Sequence, residues 1–311
     1  MSTPISRRTL LRVSGGSTLA VLLAACSAGE PTGDATPDAA TPDAATGLPA
    51  NGDITQQALD AAGLTTAPTL TPIVATYEVL TGAGRVPLGI LGPDQRPILD
   101  ADVRVWVVKE GELVDGPITP LFHGEGLGDR GIYIADVALT TTGLHDLVVE
   151  VDGDATGTTT IAVVDPSSSV TFPPGATFPS LGSPTADNPG LLETICTQDP
   201  ACTMHEASLD AALAAGAVVL TVATPAFCQT AVCGPVVSVI EGVRDSVTRD
   251  DVTFIHVEVY NDAGVTTTDL VNELGLPTEP WTWVIAADGT VVDRFDGPVV
   301  PDLLTDALNT L

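Results

Sequence analysis

The sequence is poor in positive charge. Of 311 residues only 11 are Lys or Arg, against 40 Asp or Glu, which leaves a formal net charge of −29. Lys109 is the single lysine. A surface so short of cations cannot displace the counterions of a phosphate backbone, so no nucleic acid is expected as a partner. Binding to anionic lipid through a basic patch is excluded for the same reason. Aromatic residues are 4% of the chain, and methionine occurs only at Met1 and Met204, so no methionine cluster is available for soft metals. No cysteine lies between Cys26 and Cys196, and the four histidines are scattered. What is present is apolar material, 44% of residues, enough for two ordinary cores.

The N-terminus reads as an address. Ser6-Arg7-Arg8-Thr9-Leu10-Leu11-Arg12 precedes an apolar stretch, Thr18 to Ala25, that is too short for a lasting membrane span. The paired arginines resemble a twin-arginine export signal, and Leu23-Ala24-Ala25-Cys26 resembles a bacterial lipobox. Residues 1–26 are therefore expected to be a signal, with Cys26 lipidated and the protein anchored at the extracytoplasmic face of the cell membrane. Residues 27–69 follow as a disordered tether. Its Ala35-Thr36-Pro37-Asp38-Ala39 motif repeats at Ala40 to Ala44, with too few large apolar groups to repay ordering.

Two patterned regions come next. In residues 70–165, Val103, Val105 and Val107 alternate with Arg104, Trp106 and Val108, and Tyr133 to Val137 and Leu147 to Val151 are similar. Short strands separated by Gly- and Asp-rich turns predict an all-β, immunoglobulin-like sandwich with an accessory role. His123 and His145 stand apart in it and are read as unrelated residues rather than a metal pair. Residues 166–189 read as a Pro-rich linker. From 190 to 311 strand and helix patterns alternate. Ala217 to Ala223 is a continuous apolar run, Pro235 to Val247 has a helical apolar face, and Asp288-Gly289 turns a hairpin.

The last region also carries Cys196, Cys202, Cys228 and Cys233. Cys228 and Cys233 flank the junction between a buried strand and its helix, where the helix dipole favours thiolate. Five residues apart on one helix, the side chains would diverge by about 140°, so a bond between them requires Cys228 in the loop. Cys196 and Cys202 enclose a Pro-containing turn and read as a structural disulfide.

Phe227-Cys228, Cys233-Gly234-Pro235 and Glu279-Pro280-Trp281 together resemble the active-site turn and cis-proline strand of thioredoxin-like oxidoreductases, in exported actinobacterial lipoproteins of that kind. The departures are C-x4-C in place of C-x2-C, and Phe227 in place of tryptophan. The resemblance implies an α/β thioredoxin-like domain over 190–311. It further implies Cys228 as nucleophile, Cys233 as resolving thiol, and Phe227, Glu279 and Pro280 along a substrate groove. Thiol–disulfide exchange with exported proteins would be the activity, with neither cofactor nor metal. Two other readings stay open. One is a peroxidase similar to the bacterioferritin-comigratory peroxiredoxins, with Arg244, Arg249 or Arg294 as the peroxide-holding cation. The other is a non-enzymatic copper carrier or scaffold, with His205 or His256 beside the thiolates.

Overall fold

Period-two sequence builds most of what folds. The structure is a computed structural model describing residues 51–311, apart from 126, 128, 129, 229–231 and 248. The expected signal, Cys26 and residues 27–50 of the expected tether lie outside the described residues.

The first region is a two-sheet sandwich. One sheet has β1 (Thr71–Val74), β3 (Gly82–Leu91), β7 (Ile132–Leu139) and β6 (Leu121–His123), paired in that order. The other runs β2 (Val79–Leu80), β9 (Ala155–Val164), β8 (Gly143–Val151), β4 (Val103–Lys109) and β5 (Glu112–Ile118). Val86, Leu88, Val105, Val107, Leu147 and Val149 fill the space between the sheets. The outward-facing Trp106 and Val108 are also buried, which strand alternation alone does not explain. The cover is α1 (Asn51–Ala61), whose Ala58 and Leu59 pack on Trp106, Val108 and Val148. The stretch assigned to the tether is thus helical over 51–61, because an apolar outer face at β4 and β8 needs a partner.

The second region is one mixed sheet. β10 (Ala217–Val222) lies parallel to β11 (Val252–Val257) and antiparallel to β12 (Trp281–Ile285), which pairs with β13 (Val291–Asp296). Every residue of β10 is buried, because both faces are covered. α3 (Cys233–Ser246) and α5 (Pro301–Leu308) close one face over Val219 and Val284. α2 (Leu209–Ala215), α4 (Asp269–Leu274) and Phe178 close the other over Leu220, Trp281 and Trp283. Phe178 belongs to the expected linker, yet its ring meets Trp283 edge-on at 5.3 Å and its N–H donates to Gly289 O at 2.8 Å. The linker is docked because Trp283 would otherwise face water.

Over the described residues 35% are strand and 18% helix. The expected class, with an α/β thioredoxin-like C-terminal domain, is corrected accordingly to a mostly β chain. The helices expected over 190–311 are present, two of them short, α2 with 7 residues and α4 with 6, while among the described residues thirteen strands carry the fold.

The two regions are clasped, and the described residues from 51 onward belong to one compact unit. Arg294 of β13 pairs with Glu78 at 3.1 Å, with both side chains almost fully buried, and donates to Ser169 Oγ at 2.7 Å. Asp296 Oδ2 accepts from Thr76 Oγ1, Tyr77 N and Glu78 N at 3.0, 2.7 and 3.1 Å. Burial pushes the Asp296 carboxyl up to about 6 despite those donors. Arg85 pairs with Asp293 and lies 4.5 Å over the Phe295 ring. At Gly297 (φ +98°) a Cβ would sit 2.0 Å from Ala75 O, so only glycine permits this approach of the two backbones.

Candidate functional site

Two groups of cysteines flank the C-terminal end of β10. Cys228 lies in the loop that follows the strand, and Cys233 is the first residue of α3. They are joined as a disulfide with Cα atoms 6.0 Å apart. Cys228 is half-buried while Cys233 is fully buried, so an incoming sulfur meets Cys228 first. The 14-residue α3 directs its positive end at Cys233, which favours thiolate there once the bond opens.

Glu279 completes this group. Its Oε2 accepts from Thr224 N at 2.7 Å and lies 3.5 Å from Cys233 Sγ. Burial pushes its carboxyl up to about 7, opposed by the Thr224 donor and assisted by the charge of Glu258. A carboxyl that exchanges its proton near neutrality thus touches the buried sulfur. The sequence places Glu279 along a groove but gives no local signal of this contact, since 46 residues separate the partners. The Glu279–Pro280 peptide is cis.

Glu279 and Pro280, with Val232 and Pro235, form one wall of an apolar cleft of about 430 Å³. The facing wall comes from the sandwich, including Ile73, Tyr77, Ile98 and Ile132. Phe227 is not part of that lining. It is 38% exposed and packs beside Gly264. Of the residues expected along a groove, Glu279 and Pro280 therefore share this cleft with residues of the sandwich, and Phe227 does not.

Cys196 and Cys202 are not bonded to each other. Their sulfurs are 3.7 Å apart, against about 2.05 Å in a disulfide. This corrects the structural-bridge reading, and the reason lies in their neighbours. His205 Nε2 is 3.2 Å from Cys202 Sγ, and His256 Nδ1 is 3.3 Å from Cys202 Sγ and 3.8 Å from Cys196 Sγ. All four residues are buried. The sulfur contact holds the Cys196 thiol well below its usual range and pushes the Cys202 thiol up, so the pair parts with one proton easily and the second with difficulty. Burial alone would hold the His256 imidazolium down. Its hydrogen bond to Cys196 and the charge of Glu258 outweigh that and raise it.

A polar chain runs between the two groups. Glu258, 1% exposed, accepts from Thr197 N at 2.6 Å, and Thr197 Oγ1 accepts from Ala226 N at 3.1 Å. Burial pushes the Glu258 carboxyl up, against the pull of His256 and the Thr197 donors. His256 Nε2 and Ala223 O are 2.9 Å apart, tying β11 to the strand end before Cys228.

The arginines weighed for a peroxide pocket are engaged elsewhere. Arg244 pairs with Asp245 at 2.7 Å, Arg249 with Asp251 at 2.7 Å, and Arg294 with Glu78. Of the histidines weighed for copper, both sit with Cys196 and Cys202, and neither belongs to the cluster of Cys228, Cys233 and Glu279.

No family model matches the chain. No curated protein matches it either. Among solved structures, similarity is found to the Lin-41 filamin domain, at 12% identity, TM-score 0.23, and coverage of 32% of this chain and 94% of that one. Domains 4 and 5 of the S-layer protein SbsC match at 15% identity and TM-score 0.20, covering 32% of this chain and 48% of that one. The tandem Ig repeats of Dlar match at 14% identity and TM-score 0.22, covering 38% and 58%. These neighbours are β-sandwich domains, and the resemblance to thioredoxin-like lipoproteins is corrected, since neither a family model nor a curated protein supports it. The quoted motifs are short, and short matches do not define a family.

Proposed function

We propose that this chain is a thiol–disulfide oxidoreductase of exported proteins, held at the extracytoplasmic face of the membrane through Cys26. One observation carries the reading: a disulfide with one half-exposed sulfur, Cys228, and one buried sulfur, Cys233, backed by the Glu279 carboxyl. That asymmetry separates the two roles an exchange reaction needs.

In the reducing direction, the Cys228 thiolate attacks a substrate disulfide. A bond forms between Cys228 and one substrate sulfur, while the other substrate sulfur leaves and takes a proton. Glu279 accepts the Cys233 proton, and the resulting thiolate attacks Cys228 Sγ. The second substrate thiol is released and the Cys228–Cys233 bond re-forms. Two electrons pass from the protein dithiol to the substrate, and an external dithiol must return them. In the oxidising direction every step reverses, and Glu279 protonates Cys233 as it departs. The cleft beside Pro280 offers apolar contact for an extended segment flanking the substrate cysteine.

The proposed attachment rests on the lipobox-like residues ending at Cys26; among the described residues no helix is long and apolar enough to cross a membrane. Insulin reduction and ribonuclease refolding by the full chain in detergent test the activity. Turnover in wild type and none in Cys228→Ser is the expected result, and equal rates in both would remove Cys228 from the chemistry.

A further inference from the structure

The geometry points to a second site, a structural zinc(II) centre made by Cys196, Cys202, His205 and His256. It is independent of the exchange reaction. The four ligand atoms lie within 4.8 Å of one another, and all four residues are buried. For a tetrahedral ion with bonds of about 2.3 Å to sulfur and about 2.0–2.1 Å to nitrogen, sulfurs stand about 3.8 Å apart and sulfur–nitrogen pairs about 3.6 Å. The observed edges are 3.7 Å between sulfurs and 3.2, 3.3 and 3.8 Å between sulfur and nitrogen.

The surroundings prepare the ligands. Ala223 O lies 2.9 Å from His256 Nε2 and accepts its proton, which leaves the Nδ1 lone pair facing the sulfurs. His205 Nδ1 is buried and has no hydrogen-bond partner among the described residues, so its engagement is the Nε2 contact with Cys202. Charge selects the ion. Two thiolates and two neutral imidazoles carry −2, which zinc(II) cancels and copper(I) would leave at −1 in a buried space. Four protein ligands leave no open position, which marks a structural rather than a catalytic centre. What it would fasten is the loop 191–208 to β11, and through Ala223 to the turn that carries Cys228.

The test is metal content of the full chain, purified in detergent under reducing conditions without chelator. One zinc per chain is expected, with two sulfurs at about 2.3 Å and two nitrogens at about 2.0 Å by X-ray absorption. Cys202→Ser and His256→Ala should lose it, and the Cys228→Ser/Cys233→Ser double variant should keep it. Should the first two fail to fold, the wild type itself decides: a chelator should lower its Tm, zinc should restore it, and cobalt(II) should give a tetrahedral thiolate spectrum. A Cys196–Cys202 disulfide in peptide mass spectra, copper in place of zinc, zinc lost with the Cys228/Cys233 pair, or no metal with free thiols would each overturn the assignment.

Discussion

The two cysteine pairs are separated by similar spacings, five and six residues, and sit at the same end of one sheet, yet they differ in every respect that sets sulfur chemistry. Cys228 and Cys233 are bonded, one of them reachable, with a carboxyl as neighbour. Cys196 and Cys202 are unbonded, buried at 5% and 6% exposure, with two imidazoles as neighbours. Spacing did not distinguish them; the residues brought by distant strands did. A carboxyl can move a proton on and off a sulfur, whereas two fixed imidazoles can join the sulfurs in holding a cation.

The contrast can be broken most sharply by Cys228→Ser set against Cys202→Ser. The first should abolish disulfide exchange and leave zinc content intact; the second should do the reverse at permissive temperature. Loss of exchange in both to the same degree would merge the pairs into one functional unit. Next in size is Glu279→Gln, which should slow exchange about 100-fold, the scale of one positioned proton-transfer group. Its pH–rate profile should lose the inflection near 7 that the raised Glu279 carboxyl imposes. An unchanged profile would make that carboxyl a bystander.

Thr197→Val removes the hydroxyl that Ala226 N and Glu258 share, and should cost about 1–3 kcal/mol in denaturant unfolding for groups left unsatisfied. Although Thr197 stands between the pairs, exchange rate and zinc content should hold at permissive temperature; joint loss of both in the folded variant would show the pairs coupled. The smallest effect is on stability against pH. Glu279 has an ordinary value of 4.5 and about 7 in the folded protein, so the folded state holds a proton that the unfolded chain releases between these values. Its contribution is full below pH 4.5 and is lost as pH rises through 7. Asp296, raised from 3.8 to about 6, acts in the same sense. Tm should therefore fall across this interval, less steeply in Glu279→Gln, with the Asp296 part remaining. A Tm that climbs from pH 5 to 8 in wild type and variant alike would contradict both assignments.

How much of this was legible in the chain follows from the range of each interaction. Alternation at Val103, Val105 and Val107 located a strand and its inner face, because period two is local. The apolar run from Ala217 located a strand covered on both sides. The helix at 51–61 escaped notice because its reason to form is Trp106, far along the chain. Docking of Phe178 escaped for the same cause, its partner being Trp283. At the site, Cys228 and Cys233 could be singled out by position at a strand–helix junction. The Glu279 contact and the convergence of His205 and His256 on the other sulfurs depend on register between β10, β11 and β12, which no spacing encodes. A C-x5-C-x2-H run at 196–205 was the one local trace of the second cluster. The family likeness failed because the motif was short and the rest of the match was mere alternation.

The clasp at β13 bears on how a substrate is received. Asp296 ends the strand beside Pro280 and is held by three donors from residues 76–78, while Arg294 is locked to Glu78 just before it. Leaving either member of such a buried pair unpartnered costs about 3–5 kcal/mol, so the Arg294–Glu78 pair fastens the two walls on either side of Pro280. Under the proposed exchange activity, a cleft held in this way would favour thin, extended stretches around a client's sulfur, and so clients that present it before folding is finished.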